Sequence, residues 1–264
     1  YGDSTGFWKT DLETPHMDAI ARDGVRFTRF RVNPLCAPTR ASVMTGLDSL
    51  ASGMWRGPSE GPRSEERAQA KAKKRAAKAG TRPGGDPDAD DDPESRVERR
   101  LAADLRLLPQ FLKEAGYATG AFGKWHLGYR DAYNPTKRGF DEYFGELLGH
   151  ADYYQHKYYD GTPALREGLQ PVKRDGYFTD LVNARAVKFV RDHAAHPFFL
   201  YVPHLAVHGP FQPPDAPGTP FVTKETMLHG SRAIYKAMLE RVDRGVGEIL
   251  AELDRQGIAE NTLV

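Results

Sequence analysis

The chain of 264 residues has one cysteine, Cys36, so no disulfide can close within it. That scarcity does not fix the compartment, because periplasmic proteins often lack disulfides too. Apolar runs long enough for a membrane span, roughly 18–20 residues, are missing. Neither sign of charge is in excess. With 37 Lys and Arg against 36 Asp and Glu, the formal net charge is +1 at pH 7, which gives no electrostatic footprint for nucleic acid. No segment recurs at the period of about 20–50 residues that marks repeat proteins. Tyr1 is not an initiator methionine, so the absence of a signal peptide carries no weight.

One stretch lacks nearly everything a core needs. Residues 56–100 contain no Leu, Ile, Phe, Tyr or Met, and their one Val is Val97. Such a segment cannot bury enough surface to offset its ordering entropy. Asp86-Pro87-Asp88-Ala89-Asp90-Asp91-Asp92 resembles a calcium loop. An EF-hand, however, wants Gly at its sixth position and Glu at its twelfth, and these are Asp91 and Val97. The stretch reads as a charged, solvated insertion between folded sequence at 1–55 and at 101–264.

The chain is organised around residues 32–46, V-N-P-L-C-A-P-T-R-A-S-V-M-T-G. Residues 26–32 alternate like a strand, and 41–47 read as helix with Pro38 suited to its first position. Cys36 then sits where a strand hands over to a helix. A helix N-terminus stabilises an anion, and Arg40 can fork onto a tetrahedral oxyanion. Sulfate and phosphate esters fit that corner. On residue types alone Cys36 is equally a buried apolar side chain or the nucleophile of a Cys–His acyl hydrolase. The Cys-x5-Arg phosphatase loop is excluded, because position 42 is Ser42.

Helices are expected at 15–23, with Thr14 as N-cap and His16 facing solvent; at 105–115, where Pro109 moves the start later; at 179–193; and at 231–256. Strands are expected at 117–123 and 197–202, the second as a buried parallel strand. Residues 261–264 look like the start of another. Gly123-Lys124-Trp125-His126-Leu127-Gly128 follows the first strand. If the extended conformation continues, Lys124 and His126 share one face, a cation beside an imidazole. His204 and His208 follow the second strand, at the end where open α/β sheets bind ligands. Tyr153, Tyr154, Tyr158 and Tyr159 form an aromatic cluster with His150 and His156, of the kind that caps a core or stacks on sugars.

Cys36-Ala37-Pro38-Thr39-Arg40 resembles the C-x-P-S/T-R signature of type I sulfatases, and Gly123–Gly128 resembles their second signature. Residues 134–149 are similar to the family's P-x-x-x-G-F-D-x-F-x-G segment and read as architecture. His208-Gly209-Pro210 is similar to its H-x-P motif, with Gln212-x-Pro214 after it. His204 matches no family residue and is assigned a supporting role. The resemblance runs from Tyr1 to Val264 outside the insertion. It implies an alkaline-phosphatase-like α/β/α sandwich with a large mixed sheet, one sulfatase domain split by residues 56–100.

The resemblance also implies chemistry. Cys36 is oxidised to formylglycine by a formylglycine-generating or equivalent modifying enzyme that reads Pro38 and Arg40. The aldehyde hydrates, one hydroxyl attacks the sulfur of a sulfate ester, and the other then expels sulfate. Arg40 and Lys124 neutralise the surrounding oxygens, His126 takes the proton of the elimination, and His208 contacts sulfate and protonates the leaving oxygen. One calcium ion is implied, with the modified Cys36 among its ligands. The family's Asp and Asn ligands lie on strands before the segment matching Tyr1 and after the one matching Val264. On that reading the chain is an internal fragment, truncated at both ends and inactive alone, of a periplasmic or secreted enzyme without a membrane span. The tyrosine cluster favours a sulfated carbohydrate as substrate. The rival readings are a phosphate or phosphonate monoester hydrolase of the same superfamily and a catalytically dead binding module.

Overall fold

The computed structural model describes residues 11–58, 100–223 and 225–264. Most of the charged insertion therefore lies outside the described residues. A five-stranded mixed sheet forms the middle layer, in the order β4-β3-β2-β1-β5. Strand β1 (Ala118–Lys124) is flanked in parallel by β2 (Glu142–Glu146) and β5 (Phe198–Tyr201). The short strands β3 (Arg166–Glu167) and β4 (Gln170–Pro171) extend the sheet antiparallel from β2.

Alternation along β1 and β2 sends side chains to two separate cores. On one face Phe122 and Phe144 pack with Val182, Ala186, Phe189 and Met238. On the other Ala121, Trp125 and Tyr143 pack with Ala37, Ala41 and Met44. The first face is covered by α4 (Phe178–His193) and α5 (Arg232–Arg255), whose Ser231 cap accepts from the Ile234 amide at 3.2 Å. The second is covered by α2 (Cys36–Thr45) and α3 (Leu108–Glu114). Helix α1 (Pro15–Asp23) docks on α5, with Asp243 accepting from the His16 and Met17 amides at 3.2 and 2.8 Å. His16 is an exposed residue whose ring lies against Gly247 of α5. Backbones come closest where β1 and β2 run side by side, since a Cβ on Gly145 would lie 1.8 Å from the Gly123 carbonyl oxygen. Only glycine fits there. No helix among the described residues is long and apolar enough to cross a membrane.

Several local expectations need correcting. Residues 26–32 form no strand, and Phe27 and Phe30 are each 74% exposed. The alternation is present, but among the described residues no strand lies alongside to take the backbone hydrogen bonds. Residues 262–264 likewise stay outside the sheet. Helix α2 starts at Cys36, which puts Pro38 in its third position, and ends before Gly46. Every amide of the first turn lacks an intrahelical acceptor, so proline is tolerated throughout it. Helix α3 begins only at Leu108, with Pro109 in its first turn. Strand β5 is parallel as expected, but among the described residues it has a neighbour on one side only and is half-buried. Its residues Phe198 and Leu200, with Val246 and Leu250, line an apolar cavity of about 910 Å³.

Candidate active site

The C-terminal ends of β1 and β2 and the first turn of α2 meet at one point. Cys36 opens α2, and its Sγ lies 3.2 Å from Nδ1 of His126. One turn on, Arg40 donates from Nη1 to the Lys124 carbonyl at 2.5 Å. Its Nε is buried with no hydrogen-bond partner among the described residues. Thr39 steadies the entry to the helix by donating to the carbonyls of Asn33 and Leu35 at 3.0 and 2.9 Å.

Lys124 ends β1 and is only 2% exposed. Its Nζ donates to the Gly149 carbonyl at 2.7 Å, and its side chain also interacts with that of Cys36. The strand does not continue to His126, which turns at a φ of 61°. The two basic groups still converge on Cys36. Trp125 drops to the opposite core, edge-on to Phe140 with ring centroids 6.0 Å apart. The turn after β2 closes over this pair. A Cβ on Gly149, whose φ is 92°, would lie 2.5 Å from the His126 ring.

Glu146 carries no local signal in the sequence and lies inside residues 134–149, a segment that reads as architecture. It is the β2 residue in register with Lys124 and is fully buried. Its carboxylate accepts from the amides of Leu148 and Gly149, both at 2.7 Å. The available signal was position, since both residues end parallel strands on the same face.

The site's charges oppose one another. Burial first, then Arg40, lowers the affinity of Lys124 for its proton, while Cys36 and Glu146 act the other way. Burial raises the carboxyl of Glu146, and Lys124 opposes that. His126 is held well below the ordinary imidazole value by burial, then by Lys124, Arg40, His208 and His150. His208 has an exposed outer surface. The protein around it still disfavours its charged form, with Lys124 adding to the effect and the Gly209 carbonyl, 2.7 Å from Nδ1, opposing it. His208 makes no hydrogen bond to Cys36 among the described residues; it reaches the group through its charge.

His204 stands apart from this constellation. Its Nε2 lies 2.7 Å from Oδ1 of Asn183, and its ring faces the cavity along β5. Burial, then Arg40, pushes its pKa down to about 4 from 6.5. The sign follows from linkage: a depressed imidazole contributes stability that is complete above 6.5 and lost as pH falls through about 4. His204→Gln keeps a donor toward Asn183 but cannot titrate. Thermal unfolding should show it near wild-type stability at neutral pH and roughly 2 kcal/mol more stable than wild type near pH 4.5. Parallel loss of stability in both proteins would show that His204 charges without cost.

The sulfatase family model matches residues 2–264. The chain belongs to the sulfatase family. Mouse arylsulfatase J is 31% identical over 98% of this chain, which spans 39% of that protein. Human N-acetylgalactosamine-6-sulfatase is 28% identical over all of the chain, which spans 46% of it. The crystal structure of Ps i-CgsB superposes with a TM-score of 0.73 at 28% identity, covering 97% of this chain and 52% of that one. The same protein in complex with k-i-k-neocarrahexaose gives 0.71. The chain thus spans less than half the length of the two curated relatives, and its fold is that of the alkaline-phosphatase-like sulfatases. This membership decides against the Cys–His acyl hydrolase that the thiol–imidazole contact alone would allow.

The family implies a formylglycine and a metal ion. The residues described here do not by themselves fit a metal. No group of three or more His, Cys, Asp or Glu side chains among them could hold one, and the charges gathered beside Cys36 are those of Arg40 and Lys124. Calcium takes six to eight oxygen ligands, far more than these residues offer.

Proposed function

We propose that the full-length protein is a sulfuric ester hydrolase that cleaves a sulfate ester of a carbohydrate, with Cys36 as the residue converted to formylglycine. The observation that carries this reading is the 3.2 Å approach of Cys36 Sγ to His126 Nδ1 at a helix N-terminus backed by Arg40 and Lys124. In place of the thiol, an aldehyde hydrate would supply a nucleophile with its own exit, because the second hydroxyl can expel the sulfate.

This chain's residues would do the rest. The Arg40 guanidinium and the Lys124 ammonium offset charge on the sulfate oxygens as it builds. His126, kept neutral by burial and by its cationic neighbours, accepts a proton at neutral pH. His208 donates to the Gly209 carbonyl through Nδ1, so its other ring nitrogen can protonate the leaving oxygen only from the imidazolium, the form that the negative charge of a bound sulfate ester favours. Calcium is our choice for the family's metal. Of its ligands the described residues would offer only the modified Cys36. The carbohydrate assignment follows the relatives named for N-acetylgalactosamine-6-sulfate and the neighbour bound to a neocarrahexaose.

The test uses the full-length protein made with a competent modifying enzyme. Peptide mass spectrometry should show the Cys36 thiol replaced by an aldehyde. Paired sulfate and phosphate esters of one alcohol should be hydrolysed with sulfate preferred by about 10²-fold, the scale of a site matched to one charge distribution. An intact thiol in active protein, or a preference for phosphate, overturns the reading.

A further inference from the structure

We infer that His150, held by its stack on Tyr159, is a specificity-determining residue that hydrogen-bonds a hydroxyl of the sugar carrying the sulfate. This rests on the sulfatase reading above and deepens it.

The backbone puts His150 beside the reacting groups. Glu146 pins the turn after β2 through the Leu148 and Gly149 amides. Gly149 gives its carbonyl to Lys124 and lies against the His126 ring. His150 is the next residue, and both Lys124 and His208 act on its charge. It therefore borders the same group of residues.

Its aromatic neighbours fix the ring and leave its nitrogens available. The imidazole stacks on Tyr159 with centroids 4.1 Å apart and planes at 15°, and Tyr158 meets it edge-on at 5.5 Å. Three of the tyrosine hydroxyls serve the fold, while the Tyr159 hydroxyl and His156 Nε2 are buried without a partner among the described residues. Tyr153 donates to the His208 carbonyl at 2.9 Å and Tyr154 to the Pro213 carbonyl at 2.8 Å. The Tyr158 hydroxyl accepts from the Leu147 amide at 3.1 Å. The ring nitrogens of His150 make no hydrogen bond among the described residues.

The chemistry of that ring selects the ligand class. Burial, then His208 and Lys124, pushes its pKa down to about 4. At neutral pH it is an uncharged ring with one donor and one acceptor. A cation there would compete for the sulfate. A neutral imidazole instead matches a hydroxyl, which also donates and accepts, and a sugar brings such hydroxyls next to the ester. A small aryl sulfate brings none.

The experiment compares wild type, His150→Phe and His150→Gln in the full-length, formylglycine-bearing protein. The substrates are a sulfated hexosamine and 4-nitrophenyl sulfate, and melting temperature serves as a fold control. Phenylalanine keeps the stack on Tyr159 and removes both nitrogens. We expect kcat/KM on the sugar to fall about tenfold, mainly through KM, as for one lost neutral hydrogen bond. Glutamine should recover part of that loss, and the aryl sulfate should change by less than about threefold. An equal fall on both substrates would place His150 at the reacting centre, and no fall on either would leave it a packing residue; each overturns the inference. A wild type that hydrolyses the aryl sulfate but no sulfated sugar overturns it as well. A wild type that releases sulfate from neither substrate refutes the parent reading, and the inference falls with it.

Discussion

Replacing Cys36 by alanine in the full-length protein should lower sulfate-ester turnover by about 10³-fold or more, the scale seen when a covalent nucleophile is removed. Cys36→Ser should behave differently, and the difference is diagnostic. A serine hydroxyl, placed at the start of α2 beside His126, could still attack sulfur. The ester it forms has no second hydroxyl on the same carbon to expel sulfate. The serine variant should therefore release at most about one alcohol per chain and then stop, with the sulfate retained on the peptide containing residue 36. Rapid-quench kinetics and peptide mass spectrometry read the two halves of that result. Steady turnover by the serine variant would mean that the nucleophile lies elsewhere. Neither substitution should disturb the fold much. Cys36 is only partly buried, and the residues of α2 that anchor it to the core are Ala37, Ala41 and Met44.

Elements whose signals are local could be read from the sequence. Thr14-Pro15 before the first helix, Ser231 before the last, and the apolar period between them mark α1 and α5 almost to the residue. The motif cysteine, lysine and histidine were legible for a similar reason, because short signatures carry them. Features that depend on distant partners were not. Residues 26–32 have the alternation of a strand, yet a strand exists only where another supplies hydrogen bonds, and none does among the described residues. The half-exposed state of β5 follows from its having a neighbour on one side only among the described residues, which the apolar run 197–202 does not encode. Glu146 acquires meaning only through the parallel register that sets it beside Lys124. His150 lies in a cluster of six aromatic residues. The hydrogen bonds of Tyr153, Tyr154 and Tyr158 tie those three to the fold, and neither the His150 nitrogens nor the Tyr159 hydroxyl is so tied among the described residues.

The groups around Cys36 should separate by pH as well as by rate. His126→Ala in the full-length protein should lower turnover by about 10²-fold or more, as expected for a positioned base. The wild-type acid limb of kcat/KM should lie below the ordinary imidazole value of 6.5, because burial and the neighbouring cations hold His126 well under it. The active form is neutral, so a lowered pKa carries the loss of activity to lower pH. His126→Ala should remove that limb. Lys124→Met should also cost about 10²-fold, through lost stabilisation of the sulfate oxygens. It removes the strongest single charge acting on His126, so the acid limb should move upward, toward 6.5. His208→Ala should shift the limb the same way by less, since its effect on His126 ranks behind those of Lys124 and Arg40. The sequence suggests that alanine at Lys124, His126 or His208 leaves folding nearly untouched. The structure supports this for His208, whose surface is exposed, and corrects it for Lys124, which is 2% exposed and bonded to the Gly149 carbonyl. Lys124→Met should therefore lower the melting temperature as well, by leaving the Glu146 carboxylate buried without its nearest cation. An acid limb that stays fixed in Lys124→Met would refute the electrostatic coupling. An unchanged turnover in His126→Ala would remove that ring from the chemistry.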